Sequence, residues 1–188
     1  MRQERLHILN KQLRAYFEGT VEMINNEWIF FDNETEEAYP IENFYSKEIQ
    51  VEKYNDWKKG ILLDNLTIQG EQGDFKLHDQ DTIKIRKTLP YSFDSLLQDL
   101  QDDAFFRFIL TLNKLGFSVY DLLYCHNHLS FLLNENKEGV NFMVFDNAVQ
   151  ICSVNHHFQY EKKYIDRFEF TLNTGERLIL QAVKPSTI

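Results

Sequence analysis

The chain has 188 residues, 43% of them hydrophobic and 14% aromatic, with only 7 Gly, 3 Pro and 2 Cys, which excludes disordered, collagen-like and disulfide-scaffold classes. Its formal charge of −9 is spread along the sequence: residues 1–89 carry 12 basic and 17 acidic side chains and residues 90–188 carry 8 and 12, together the 20 and 29 of the whole chain. Neither half is built to neutralise phosphates, so nucleic acid and anionic membranes are not expected as partners.

The first residues, Met1 to His7, are charged and lead into no apolar run of signal-peptide length, and no stretch approaches the ~20 apolar residues of a membrane helix. The expectation is a cytoplasmic protein with both cysteines as thiols. Leu6, Leu9 and Leu13 recur at near-helical spacing, which predicts a short leading helix.

From Tyr16 the pattern changes to strand. Tyr16–Val21, Trp28–Phe31, Glu48–Glu52, Trp57–Leu63, Leu66–Ile68 and Asp81–Ile85 are rich in β-branched and aromatic residues, and turn dipeptides such as Asn25-Asn26 and Asp64-Asn65 separate them. Six strands at such close spacing predict a small barrel-like module over 1–89. Leu89-Pro90 then marks a boundary, because the residue before proline avoids the helical region.

Three helices are predicted next. The first runs over 93–101 behind Ser92, and the second over 104–115 behind Asp102 or Asp103, ending at Gly116. The third, over 119–126, opens on the Ser118/Asp121 capping box. Strand-like runs over 140–145, 149–158, 165–172 and 177–183 follow, joined by turn chemistry such as Asn173-Thr174-Gly175. The expected fold is α+β: the barrel-like N-terminal module, then a 90–188 module of about three helices packed on a four-stranded antiparallel meander.

Several tracts resemble a family of small bacterial proteins. Asp102-Asp103-Ala104-Phe105-Phe106, Tyr124-Cys125-His126-Asn127, Gly139 to Asn147, His156-His157-Phe158 and Phe168 to Gly175 are similar to a domain of unknown function found in Bacillus-type bacteria, with Phe30-Phe31-Asp32 extending the likeness toward the front. The resemblance implies a cytoplasmic bacterial setting. It implies no activity and brings no catalytic residues.

Six of the eight cysteines and histidines fall between Cys125 and His157. Cys125, His128, Cys152 and His156 form a two-Cys, two-His list of zinc-ligand type. Geometry weighs against a shared ion, since residues four apart on a strand stand about 13 Å apart while ligands of one zinc lie within about 4 Å of each other. A thiol hydrolase is the other chemical reading, with Cys125 or Cys152 as nucleophile and His126, His128, His156 or His157 as base. Cys125 falls at the C-terminal end of its predicted helix, where the dipole opposes a thiolate, and Cys152 alternates with Val154 and Phe158 on an inward face. The favoured reading takes these side chains as part of a helix-to-sheet junction.

Other groups have structural explanations. Lys84 and Arg86 alternate along a strand as a solvated face does, Trp28 and Trp57 suit a module core, and Asp99, Asp102 and Asp103 suit helix ends. Nucleotide-binding, nucleophile-elbow, His-Glu-x-x-His and Cys-x-x-Cys motifs are absent from the sequence. The sequence therefore favours a non-enzymatic protein that binds a protein partner or itself, through aromatic surface on the N-terminal module or the groove between modules, with a Cys/His metal or thiol site as the alternative.

Overall fold

A computed structural model describes residues 3–71, 73–133 and 136–185. It has two compact units, one formed by Ala15–Thr88 and the other by the chain up to Arg14 together with the chain from Leu89 onward. The leading helix, expected as part of the N-terminal module, therefore belongs with the C-terminal residues.

In the first unit, eight strands form one antiparallel sheet: β1 (Tyr16–Ile24), β2 (Glu27–Asp32), β3 (Ala38–Pro40), β4 (Glu48–Lys53), β5 (Asp56–Leu62), β6 (Thr67–Gly70), β7 (Phe75–Lys76) and β8 (Thr82–Arg86). Their order is β3-β2-β1-β8-β4-β5-β6-β7, so the last strand inserts between the first and fourth. No pairing among the described residues joins β3 to β7, and the barrel closure expected from the strand spacing is not found. Both end strands are very short, and β3 ends on Pro40, which has no N–H to offer a further ladder.

Alternation sets the core of this sheet. Val21, Phe30, Ile49, Val51, Leu62, Ile68, Ile83 and Ile85 are fully buried on one face, and Phe44 from the 3-10 turn Ile41–Phe44 meets Phe30 edge to face at 5.5 Å. Gly19 has to be glycine, because a Cβ there would stand 1.8 Å from the Phe31 carbonyl oxygen. The other face is a lattice of charge pairs. Lys84 bonds Glu18 at 3.1 Å and lies 4.0 Å over the Trp57 ring, while Lys59 bonds Glu48 at 2.9 Å.

The second unit packs helices on a five-stranded antiparallel sheet. Its helices are α1 (Gln3–Asn10), α2 (Tyr91–Asp99) and α3 (Asp102–Lys114). Its strands are β9 (Leu122–His126), β10 (Lys137–Asp146), β11 (Ile151–Tyr160), β12 (Lys163–Leu172) and β13 (Arg177–Pro185), in the order β13-β12-β11-β10-β9. Phe108 of α3 is the centre of the core, with its ring 5.0 Å from Phe168, 6.0 Å from Phe170 and 6.3 Å from Phe145 and Phe93.

The helix expected over 119–126 is not one. The Ser118/Asp121 capping box forms, with Asp121 Oδ2 accepting from the Ser118 N–H at 2.7 Å and Ser118 Oγ accepting from Tyr120 N–H at 3.2 Å, but it closes a single 3-10 turn, Val119–Asp121. Arg14 then clamps both carboxylate oxygens of Asp121 at 2.5 Å, and the chain leaves as β9, paired with β10 from Leu122 onward. Ladder hydrogen bonds and burial of Cys125 against the core prevail over a local helix signal of one turn.

Of the face expected for the leading helix, only Leu9 is buried, and it shares the interior with Arg5. Leu6 and Leu13 are exposed, whereas Arg5 and Leu9 are buried. The Arg5 guanidinium donates to the carbonyls of Leu97 and Leu100, each at 2.7 Å, pairs with Asp102 at 2.6 Å and stacks 4.6 Å above Phe105. One cation thereby satisfies carbonyls at the end of α2 and a carboxylate at the start of α3.

Candidate functional site

The six clustered cysteines and histidines are divided by the pleat. On the helix-covered face lie Cys125, opposite Met143, then Cys152, opposite Phe145, and His156, between Asn141 and Phe168. His157 alternates onto the other face, 3.6 Å from Glu169, and His126 is exposed. His128 sits in the 3-10 turn His128–Phe131, over Gly139 and 6.3 Å from the Phe158 ring. Cys125, His128, Cys152 and His156 thus occupy four separate places, and among the described residues no group of three or more His, Cys, Asp and Glu side chains is arranged to hold an ion.

Neither thiol is activated. Burial pushes Cys125 up to about 11, against an opposing hydrogen bond with Ser92, and burial pushes Cys152 up to about 11, against a hydrogen bond with the Thr171 backbone. Because Cys125 stands on a strand, desolvation in the core replaces the helix dipole expected from the sequence as the cause. The acidic residues of the helix junction are likewise engaged: Asp102 pairs with Arg5 and Asp103 with Arg107 at 2.8 Å, while burial raises Asp99 against the opposing charge of Lys137.

His156 belongs to a buried polar chain that the sequence did not reveal. Asn141, His156 and Asp166 are at most 1% exposed, and Tyr160 is 8% exposed. Asn141 Oδ1 accepts from the Leu129 N–H at 3.0 Å, so its amide nitrogen is the group facing His156 Nδ1, also at 3.0 Å. That assignment makes Nδ1 an acceptor and places the imidazole proton on Nε2, which donates to Asp166 Oδ1 at 2.8 Å. The Tyr160 hydroxyl donates to the same oxygen, and burial followed by the Asp166 charge drives its pKa far upward. Phe168 stacks on the imidazole at 4.2 Å and 10°. The chain of bonds ties β10, β11, β12 and the 128–131 turn into one arrangement, with every inward polar atom of Asn141 and His156 given a partner.

The face of the five-stranded sheet opposite the helices is open. Across it, strand register sets the rows His126-Phe142-Asn155-Glu169-Ile179 and Val140-His157-Arg167-Gln181. Apolar side chains on it remain exposed: Val140 at 40%, Phe142 at 37%, Tyr124 at 53%, Ile179 at 61% and Val183 at 51%. Its charges offset one another. Arg167 bonds Glu169 at 2.7 Å, and Lys163, Arg177, Glu138 and Asp146 supply two further charges of each sign.

The basic residues of the first unit offer no comparable surface for phosphates. Arg86 lies 5.1 Å from the Tyr16 ring and Lys87 lies 4.7 Å from Phe17, while Lys84 is taken up by Glu18 and Trp57. A hollow of about 350 Å³ beside Trp57 and Phe75 places Lys58 and Lys59 among Asp56, Glu71 and Asp74, so its charges offset as well.

Fold and site define a two-unit α+β protein whose C-terminal sheet carries a buried polar chain on one face and an open, charge-balanced surface on the other. The chain belongs to the DUF2777 family, described as a protein of unknown function, whose model matches residues 3–182. It is similar to the uncharacterized protein YisN of Bacillus subtilis (strain 168), at 25% identity over 178 residues that cover 94% of this chain and 91% of that protein. No solved structure matches the chain. No helix among the described residues is long and apolar enough to cross a membrane.

Proposed function

We propose that this protein works by binding another protein, through the open face of the five-stranded sheet in its C-terminal unit, and that it is not an enzyme. The observation that carries this reading is the set of exposed aliphatic and aromatic side chains, Tyr124, Val140 and Phe142 on β9 and β10 and Ile179 and Val183 on β13, on one face of a sheet whose other face carries the core of the unit. Exposed apolar side chains interspersed with polar ones on a flat face are what protein partners cover. The aromatic residues of the N-terminal module support it less, because Phe30 and Phe44 lie in that module's core and Trp57 is capped by Lys84. Both thiols are held protonated by burial, which removes support from the thiol-hydrolase alternative.

A photo-reactive phenylalanine analogue in place of Ile179 tests the reading in cells. Cross-linking to a protein from this position, and none from the exposed Glu27 of the other unit, is the expected result. No protein product from position 179 under conditions where the chain is abundant and folded sinks it.

A further inference from the structure

We infer that the partner on the open sheet face is a second copy of this chain, forming a two-fold dimer by face-to-face stacking of the two five-stranded sheets; the inference rests on the binding role proposed above. Three observations point to a copy. The first is area. Five strands spaced about 4.8 Å apart, with nine to ten residues each in β10 to β13 rising about 3.3 Å per residue, make a face of roughly 24 Å by 30 Å. That is on the order of 700 Å² per copy and about 1,400 Å² for the pair, within the 1,200–2,000 Å² range of specific stable interfaces. A small peptide would leave most of such a face in water.

The second is charge. The chain as a whole carries −9 and would repel itself, but Lys163, Arg167 and Arg177 offset Glu138, Asp146 and Glu169 on this face. A copy therefore meets no local excess of its own sign, whereas a strongly charged partner finds nothing there to pair with. The third is composition. Apolar Phe142, Val140, Ile179 and Val183 are interleaved with His157, Asn155 and Gln181, the mixed make-up of interfaces between subunits that are stable alone. A two-fold axis lying in the interface plane presents the same face twice, and aligned sheets then stack about 10 Å apart with their side chains interdigitated.

Sedimentation velocity of the purified full chain, from about 1 to 500 μM, tests the inference across the usual range of weak to firm dimers. A dimer is expected, with Val140→Lys combined with Ile179→Lys weakening it at least about tenfold, as replacing buried apolar contacts by charge does. Both positions are solvent-exposed in the single chain, so the thermal transition of the variant measured at low concentration should stay close to that of the parent. Ile179→Ala is the milder companion variant and should weaken the dimer without adding charge.

A monomer at every concentration, or a dimer that neither variant affects, overturns the second copy as the partner. If the purified chain is monomeric while position 179 cross-links a different protein in cells, the copy is overturned and the binding face stands. If it is monomeric and position 179 cross-links nothing, both readings fall.

Discussion

Asn141 faces His156 across the β10–β11 pair with a single orientation open to its amide, because Asn141 Oδ1 already accepts from the Leu129 N–H. The carboxamide is therefore a rigid link between the sheet and the turn that carries His128. Asn141→Leu keeps the volume and strands two buried partners, the Leu129 N–H and His156 Nδ1. At about 1–3 kcal/mol for each group left unsatisfied, the expected loss is roughly 2–6 kcal/mol. Urea denaturation followed by a signal from the C-terminal unit would read it, and a loss under about 1 kcal/mol would contradict the network as described.

Arg5 makes a parallel prediction for the helical layer. Arg5→Met keeps the stem length but removes the donors to Leu97 and Leu100 and the partner of Asp102, leaving two carbonyls at the end of α2 without their cation. A cost of about 2–4 kcal/mol is expected from the lost charge-assisted bonds. Arg5→Lys should recover only part of it, since an ammonium cannot reproduce the planar fork that reaches two carbonyls and a carboxylate together. Equal stabilities for the Lys and Arg proteins would refute the fork as the cause.

What could be read from the sequence follows how local each signal is. The strands of the meander are legible because Val140 to Phe145 and Ile165 to Leu172 are runs rich in β-branched and aromatic residues bounded by turn residues, and α3 because Phe105, Phe108, Ile109 and Leu112 form one stripe. The Ser118/Asp121 box is legible in the sequence, but the length of the helix behind it is not, because only pairing with β10 decides whether the chain continues as helix or strand. The buried polar chain was illegible for the same reason. Asn141 and Asp166 occupy inward positions of their strands, and polar residues at such positions are the available sign that a partner waits across the sheet. Arg5 gave no sign, since an arginine in a charged first helix looks like a solvated one until the α2 carbonyls are placed beside it.

Gly139 provides a test of how His128 is seated. A Cβ at 139 would stand 2.6 Å from His128 Cδ2 and 3.0 Å from the Phe158 ring, so Gly139→Ala forces the imidazole out of its place. A destabilisation of about 1–3 kcal/mol is expected from overpacking. In the His128→Ala background the same substitution should cost at least about 1 kcal/mol less, because the nearest obstruction is gone, and a double-mutant cycle measures the difference. Additive effects would mean that Phe158 or the backbone, and not His128, sets the limit.

The thiols give the pH dependence. With a thiol pKa of about 11 at both Cys125 and Cys152, burial favours the neutral form, so the folded chain holds these protons more tightly than the unfolded chain, where an ordinary thiol releases them near 8.5. The folded-state pKa is raised, so this contribution to stability is fully present below the unfolded value and is lost as pH rises toward 11. Denaturant midpoints should accordingly fall between about pH 8.5 and 11, and replacing both cysteines, Cys125→Ala with Cys152→Ala, should flatten that part of the profile. In the intact protein, alkylation of half-buried Cys125 at pH 8 should run on the order of 100-fold slower than that of an unhindered thiol, given the smaller thiolate fraction. It should climb about tenfold per pH unit until the thiol ionises. Rapid alkylation at neutral pH would instead reveal an activated thiolate, and would return the Cys/His cluster to consideration as a reactive site.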